Sequence, residues 1–366
     1  MREGYGTRAP RAEEAEQVAA LVHEAERSQD PTAGARTPAE FRAVWSRLDL
    51  ARDARVATAP DGTLAGYAQV DVVRPGRLHA DGYTRPGHLG TGIGAALIDW
   101  SGDRARRLAS TAPHAGAPAT LLHYVMLDGA ADRMLRARDY RLVRVHQRMR
   151  RSLAGPLPAP RWPEGVTVRP CDGTPEELRR VHACAEEAFA DRYEGVGRTF
   201  ERWSADLVHE RTDPALWVLA ERAGRIVGVA VCDLTTVQGA PSGEVCQLAV
   251  AREARRTGLG KALLLAAFAR FADRGVTTVG LDVDSESPTG AHRLYAGAQM
   301  AVTATIGQFE LSLPACPLSR GRGVSRRPPI APAGRSRPAA GPRSGRSAAA
   351  GRAPGGGAGP TGRRPP

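Results

Sequence analysis

The run Arg255-Arg256-Thr257-Gly258-Leu259-Gly260-Lys261 has the residue types and the setting of a phosphate cradle. An apolar strand-like run, Glu244 to Val250, leads into it, and a helix-like run, Ala262 to Phe271, leaves it. Glycines at 258 and 260 remove Cβ atoms that would keep a ligand off the backbone, and the first N–H groups of the following helix lack intrahelical acceptors. An anion fits such a turn. Two common nucleotide motifs are excluded. A dinucleotide fingerprint needs Gly-x-Gly-x-x-Gly with an acidic residue about 20 positions on, and a P-loop needs Gly-Lys-Ser/Thr, whereas here Ala262 follows Lys261. Alone, Gly-x-Gly is a weak signal in a chain with 41 glycines among 366 residues, because a strand-to-helix turn uses glycine without any ligand.

The downstream sequence makes the motif specific. A β-rich run, Val276 to Asp284, is followed by a loop, Ser285-Glu286-Ser287-Pro288-Thr289-Gly290, and a short helical run, Ala291-His292-Arg293-Leu294-Tyr295. In this order and spacing the second half resembles the GCN5-related N-acetyltransferases, whose signature is a strand, Gln/Arg-x-x-Gly-x-Gly/Ala opening a helix, a second strand and a short helix with a tyrosine. The resemblance covers about a hundred residues.

That resemblance implies an acetyl-CoA-dependent transfer of an acetyl group to a primary amine, with no metal. It assigns the backbone of Arg256, Thr257, Gly258, Leu259, Gly260 and Lys261 to the pyrophosphate and the main chain of Leu248, Ala249 and Val250 to the pantetheine amides. Arg255 holds the family's Gln/Arg position. Ser287 stands where many relatives carry asparagine, a departure that weakens the transfer of that cofactor contact. The resemblance further implies Glu244 as the base, directly or through water, and Tyr295 as the acid for the departing thiolate. A carboxylate near its ordinary pKa is a poor base for an ammonium, so Glu244 needs burial or a water relay. Cys246, two residues on, reads as a buried small hydrophobe.

The elements that position these residues recur. Gly6-Thr7-Arg8-Ala9-Pro10 faces Val166-Thr167-Val168-Arg169-Pro170; Leu64 to Asp71 faces Ile226 to Asp233; Gly92-Ile93-Gly94 faces Gly258-Leu259-Gly260; and Ala131 to Leu135 faces Ala291 to Tyr295. Between the copies, residues 155–163 hold four prolines, which preclude a continuous helix or central strand. The fold expected is α/β: two tandem acetyltransferase-like domains, each a mixed, mostly antiparallel, splayed sheet flanked by helices, with a disordered C-terminal tail. The expected borders are 1–152 for a degenerate domain, 153–164 for the linker, 165–313 for the transferase domain and 314–366 for the tail. In the first copy Leu89 stands at the Arg255 position and Leu135 at the Tyr295 position. Counting back from the glycines puts Leu78 opposite Glu244, so the first copy reads as catalytically silent.

The formal charge of +12 is concentrated in residues 314–366, which carry eleven arginines and no acidic residue; without them the charge falls to +1. The basic composition therefore says little about the domains, and nucleic acid enters only as a partner of the tail. That segment lacks the apolar residues to offset its ordering entropy. The five cysteines form no Cys-x-x-Cys pair, and no apolar run is long enough to span a membrane, so reduced thiols in a cytoplasm are expected; the resemblance adds a small-molecule amine acceptor. The tandem arrangement also admits the cysteinyl amine of a thiol–sugar conjugate as acceptor, or a noncatalytic acetyl-CoA-binding protein.

Overall fold

The structure is a computed structural model that describes residues 1–34, 36–111, 118–190, 199–209, 212–287 and 289–314. The expectation of a disordered tail falls, Pro314 excepted, outside the described residues. The first half runs β1 (Gly6–Arg8), α1 (Ala15–Gln29), α2 (Pro38–Trp45), α3 (Leu50–Asp53), β2 (Ala54–Thr58), β3 (Leu64–Arg74), β4 (Arg77–Thr84), α4 (Ile93–Ser110), β5 (Ala119–Met126), α5 (Ala130–Arg136) and β6 (Arg141–Ser152). The second half repeats this plan, with a 3-10 turn (Pro214–Leu216) at the place of α3: β7 (Thr167–Pro170), α6 (Pro175–Phe189), α7 (Phe200–His209), β8 (Val218–Arg222), β9 (Arg225–Val237), β10 (Ala240–Val250), α8 (Leu259–Asp273), β11 (Thr278–Asp284), α9 (Ala291–Gly297) and β12 (Ala301–Leu313).

Local chemistry explains the elements that frame the site. In α6, Thr174 accepts from the Glu177 N–H and Pro175 occupies the first turn, where its missing N–H costs nothing. α8 is apolar almost all round, with Leu259, Leu263, Leu264, Phe268 and Phe271 buried, which suits a helix enclosed by the sheet and its neighbours. It ends where Gly275 adopts a φ of +75° and the Val276 N–H reaches back to the Phe271 carbonyl at 3.1 Å, closing the last turn.

All strands join one twelve-stranded sheet in the order β1-β2-β3-β4-β5-β12-β6-β11-β10-β9-β8-β7. Adding six to each strand number of one half and reversing the order gives the other, so the sequence repeat is a two-fold relation of topology centred between β12 and β6. Each half's closing strand has crossed to the opposite side. β6 pairs antiparallel with β11 from Ser152–Thr278 to His146–Asp284, and β12 pairs antiparallel with β5 from Met126–Ile306 to Ala119–Leu313. The borders at 152 and 165 thus divide the chain but not the sheet. The cores are mixed in the same way: Met149 and Leu153 pack in the second half's core, and Phe309 and Leu313 in the first half's.

Two pairs are parallel, β4–β5 and β10–β11, and both stop early. β10 and β11 pair only from Ser242–Thr278 to Glu244–Gly280, although β10 continues to Val250 and β11 to Asp284. Beyond that point the strands part. β4 and β5 do the same after His79–Leu122.

Candidate active site

Glu244 is the last residue of β10 paired to β11, which puts it at the mouth of the splay. Beyond it Cys246 is squeezed out of register in a bulge between Val245 and Gln247. Cys246 is therefore exposed, not the buried hydrophobe its composition suggests. Cys171, Cys184 and Cys232 are buried, and burial pushes each thiol up to about 12. After the bulge, Gln247 to Val250 stay paired to β9, and their other edge faces the splay with no strand partner. This is the stretch whose main chain the sequence assigns to pantetheine; Ala249 points into the core, whereas Leu248 and Val250 pack only partly buried against it.

From Val250 the chain turns through Arg252–Ala254 into the glycine run. Arg256 takes a φ of +62° and Gly258 a φ of +88°, the latter as the residue that caps α8. Nothing lies within 4 Å of where a Gly258 Cβ would stand. Among the described residues, none of the N–H groups of Arg256 through Lys261 donates to a backbone carbonyl, whereas the next one, Ala262, bonds Gly258 at 3.1 Å. This row of free donors at a helix N-terminus fits a pyrophosphate. The two glycines have different reasons to be there. Gly258 supplies the left-handed turn, but a Cβ on Gly260 would meet Leu294 Cδ1 at 2.9 Å, so Gly260 is small to let α9 approach rather than to admit a ligand.

Arg255 braces the cradle with its side chain: Nη2 donates to the Ala188 carbonyl at the end of α6 at 2.8 Å, and Nε to the Val250 carbonyl at 3.3 Å. Thr257 Oγ1 bonds the Ala254 carbonyl at 2.8 Å. Ser287 Oγ is 2.9 Å from Thr289 Oγ1 in the loop before α9. Tyr295, next to Leu294 on α9, is 8% exposed and packs in the second half's core. Burial alone pushes its phenol up to about 12, so it holds its proton at neutral pH.

The Glu244 carboxyl is raised to about 7. Desolvation raises it; the strongest opposing influence is Arg150, and Asp282, Arg148 and Asp233 contribute less. A carboxyl poised near neutrality suits a base, which removes the objection that an ordinary glutamate is too acidic. Arg150 comes from β6, the first half's closing strand, and its Nη1 is 3.8 Å from Glu244 Oε2. Its Nε donates to Thr32 Oγ1 at 3.1 Å, and Arg148 bridges Asp282 and Asp30 at 3.0 and 2.9 Å. The segment after α1 is also tied to the second half by a bridge between Gly34 and Val237. Arg148, Arg150 and Asp282 were not singled out from sequence. The available signal was the alternation in β6, where Arg144, His146, Arg148 and Arg150 share one face while Met149 enters the core.

The first half differs at one position from its reading by counting. Asp71 pairs with His79, as Asp233 pairs with Glu244, so His79 and not Leu78 stands at the Glu244 position. The bulge at Cys246 adds one residue to β10 that β4 lacks, and the count slips by one. His79 lies 3.6 Å from Asp81 and edge-on to Tyr124. Leu135 does occupy the Tyr295 position, since its neighbour Met134 meets Gly94 as Leu294 meets Gly260. Residues 1–5 fold over the first half's glycine turn: Arg2 N–H donates to the Thr91 carbonyl at 2.8 Å, and a Cβ on Gly92 would meet Met1 Cα at 3.0 Å. Among the described residues no group of His, Cys, Asp or Glu side chains is placed to hold a metal ion, and no helix is long and apolar enough to cross a membrane.

A strand splayed from its neighbour, a glycine-opened helix with free N–H groups and a buried tyrosine beside it make up the candidate site. The Acetyltransferase (GNAT) family matches residues 178–298. A mycothiol acetyltransferase from Thermobispora bispora is 37% identical over 241 residues, 63% of this chain and 75% of that protein. One from Thermomonospora curvata is 35% identical over 251 residues, 68% of this chain and 79% of that protein. Among solved structures, a GCN5-related N-acetyltransferase from Sphaerobacter thermophilus superposes with a TM-score of 0.70 at 33% identity, covering 86% of this chain and 98% of that one. A tandem GNAT protein from the clavulanic acid biosynthesis pathway shares the fold at 16% identity, with a TM-score of 0.62 over 85% of this chain and 99% of that one. The chain belongs to the GNAT family and is an acetyl-CoA-dependent N-acetyltransferase.

Proposed function

We propose that catalysis resides in the second half and that the acceptor is the cysteinyl amine of a thiol–sugar conjugate, the precursor of mycothiol. The observation that carries the location is Glu244 at the mouth of the splay, held near neutrality, where the first half has His79. The acceptor rests on the names of the relatives at 37% and 35% identity.

Acetyl-CoA, the cosubstrate, supplies the thioester. The N–H groups of Arg256 through Lys261 hold its pyrophosphate, and Leu248 to Val250 offer main-chain partners along the splay. Arg255 keeps that turn against α6 and β10, and Ser287 belongs to the loop bordering the site. Glu244 takes a proton from the acceptor ammonium, which makes the amine nucleophilic. The freed amine attacks the thioester carbonyl; as the C–N bond forms and the C–S bond breaks, Tyr295, which retains its phenolic proton at neutral pH, gives it to the departing thiolate and recovers one from the new amide nitrogen.

Thiol release measured with the mycothiol precursor and a panel of simple amines tests the acceptor. Turnover with the precursor should exceed that with every simple amine, and a preference for another amine would replace the acceptor while leaving the enzyme class intact. In the same assay Tyr295→Phe should lower kcat about 100-fold, with coenzyme A affinity unchanged. Undiminished turnover would remove Tyr295 from the mechanism and leave it a core aromatic.

The segment folded over Gly92 leads to a further expectation: the first half does not hold coenzyme A. Calorimetric titration should give one site per chain, abolished by Gly258→Val. Two sites would mean that residues 1–5 yield to the ligand.

A further inference from the structure

Glu244 lies in a row that crosses the sheet and the repeat. Pairing runs from Asp233 on β9 to Glu244 on β10, Gly280 on β11 and Arg150 on β6. Arg150 is the one member of this row contributed by the first half. Its side chain is nine-tenths buried, and its Nη1 makes no hydrogen bond among the described residues. What lets it reach across an entire strand is the missing side chain between: a Cβ on Gly280 would meet Arg150 Nη1 at 2.7 Å and Glu244 Oε2 at 2.8 Å. The first half has the opposite arrangement at the same register, His79, Leu122 and Glu310. An acid, a gap and a cation are thus replaced by a histidine, a filled position and an acid.

We infer that Arg150 is a positioning residue for the transfer reaction: through the gap at Gly280 its charge favours the ionised form of Glu244 and keeps that carboxylate aimed at the mouth of the splay. The groups facing Glu244 are Asp233 from β9, Asp282 from β11, and Arg148 and Arg150 from β6. The two aspartates and desolvation favour the protonated acid. Arg148 is already engaged by Asp282 and by Asp30 from the segment after α1. Among the described residues Arg150 is bound on that side only by the neutral Thr32 hydroxyl, so its charge is left to act on Glu244. An unscreened cation within about 4–6 Å of a carboxylate lowers its pKa by about 1–3 units. Without Arg150, Glu244 would be largely protonated at neutral pH and unable to accept a proton. The inference rests on Glu244 as the base, and its test separates the two.

Protein labelled with ¹³C at the glutamate side-chain carboxyl is titrated by NMR, the Glu244 signal being the one lost in Glu244→Gln. In Arg150→Gln the midpoint should move up by at least about one unit, and Arg150→Lys should restore most of the shift. Gly280→Ala, which displaces only the ends of two flexible side chains, should move it in the same direction with the fold intact. The acid limb of kcat/KM against pH should follow. Arg150→Gln should lose about tenfold more activity than wild type near pH 6 and converge with it near pH 9. An unchanged titration in Arg150→Gln overturns the inference, as does a loss of activity equal at every pH, the mark of a purely structural or acceptor-binding arginine. A titration that moves without the kinetic limb leaves Arg150 acting on Glu244 but removes Glu244 as the base.

Discussion

Glu244→Gln should lower kcat/KM at neutral pH by about 10²–10⁴-fold, the range for loss of a positioned general base. The same substitution should raise stability. Because the folded carboxyl sits at about 7 instead of the ordinary 4.5, the native state binds the proton more tightly than the unfolded chain does. The folded protein is therefore progressively penalised as pH rises from about 4.5 through about 7, and above that the full cost of a desolvated carboxylate is present. Glutamine removes that cost but leaves Arg150 without its counter-charge, so the net gain above neutrality should be about 1–3 kcal/mol. Denaturant melts of both proteins on either side of neutrality measure it. Equal stability at every pH, or undiminished turnover, would show that Glu244 is an ordinary solvated strand residue.

Cutting the chain in the proline-rich segment should be far more damaging than its linker composition suggests. Residues 153–314 expressed alone would leave β11 without β6 and β12 without either neighbour, since β12 pairs only with β5 and β6. The core of the second half would lose Met149, and Glu244 would lose Arg150. Unpaired strand edges favour aggregation. The expected result is a fragment without cooperative unfolding or measurable turnover, and recovery of both on co-expression with residues 1–152. Size-exclusion chromatography with the thiol-release assay decides it. A monomeric fragment with wild-type turnover would mean that β12 can fold back into its own half.

Much of the candidate site was legible because its signals are local. The glycine turn, the glutamate 14 residues before Gly258 and the tyrosine on the following short helix all sit within one stretch of chain, and each lies on the element expected. Four features were not legible, for four physical reasons. The strand exchange depends on which edges meet, and pairing between residues more than a hundred positions apart leaves no local trace. The bulge at Cys246 is one extra residue, which the count from Gly92 back to Leu78 could not detect, so it hid His79. Gly260 carries the same letter as Gly258 but answers to a leucine on α9. Arg150 was missed because it belongs to the other copy of the repeat.

The strand exchange gives the first half a reason to persist apart from any ligand of its own. Its glycine turn, its His79 and its Leu135 are free to drift once chemistry rests with the second copy, but β6 is not, because it completes the neighbouring sheet and carries the cation opposite Glu244. Substitutions at Arg150 and Gly280 should therefore be compatible only in matched combinations, although the two residues lie in different copies of the repeat. The duplicate has become the second half's missing strand.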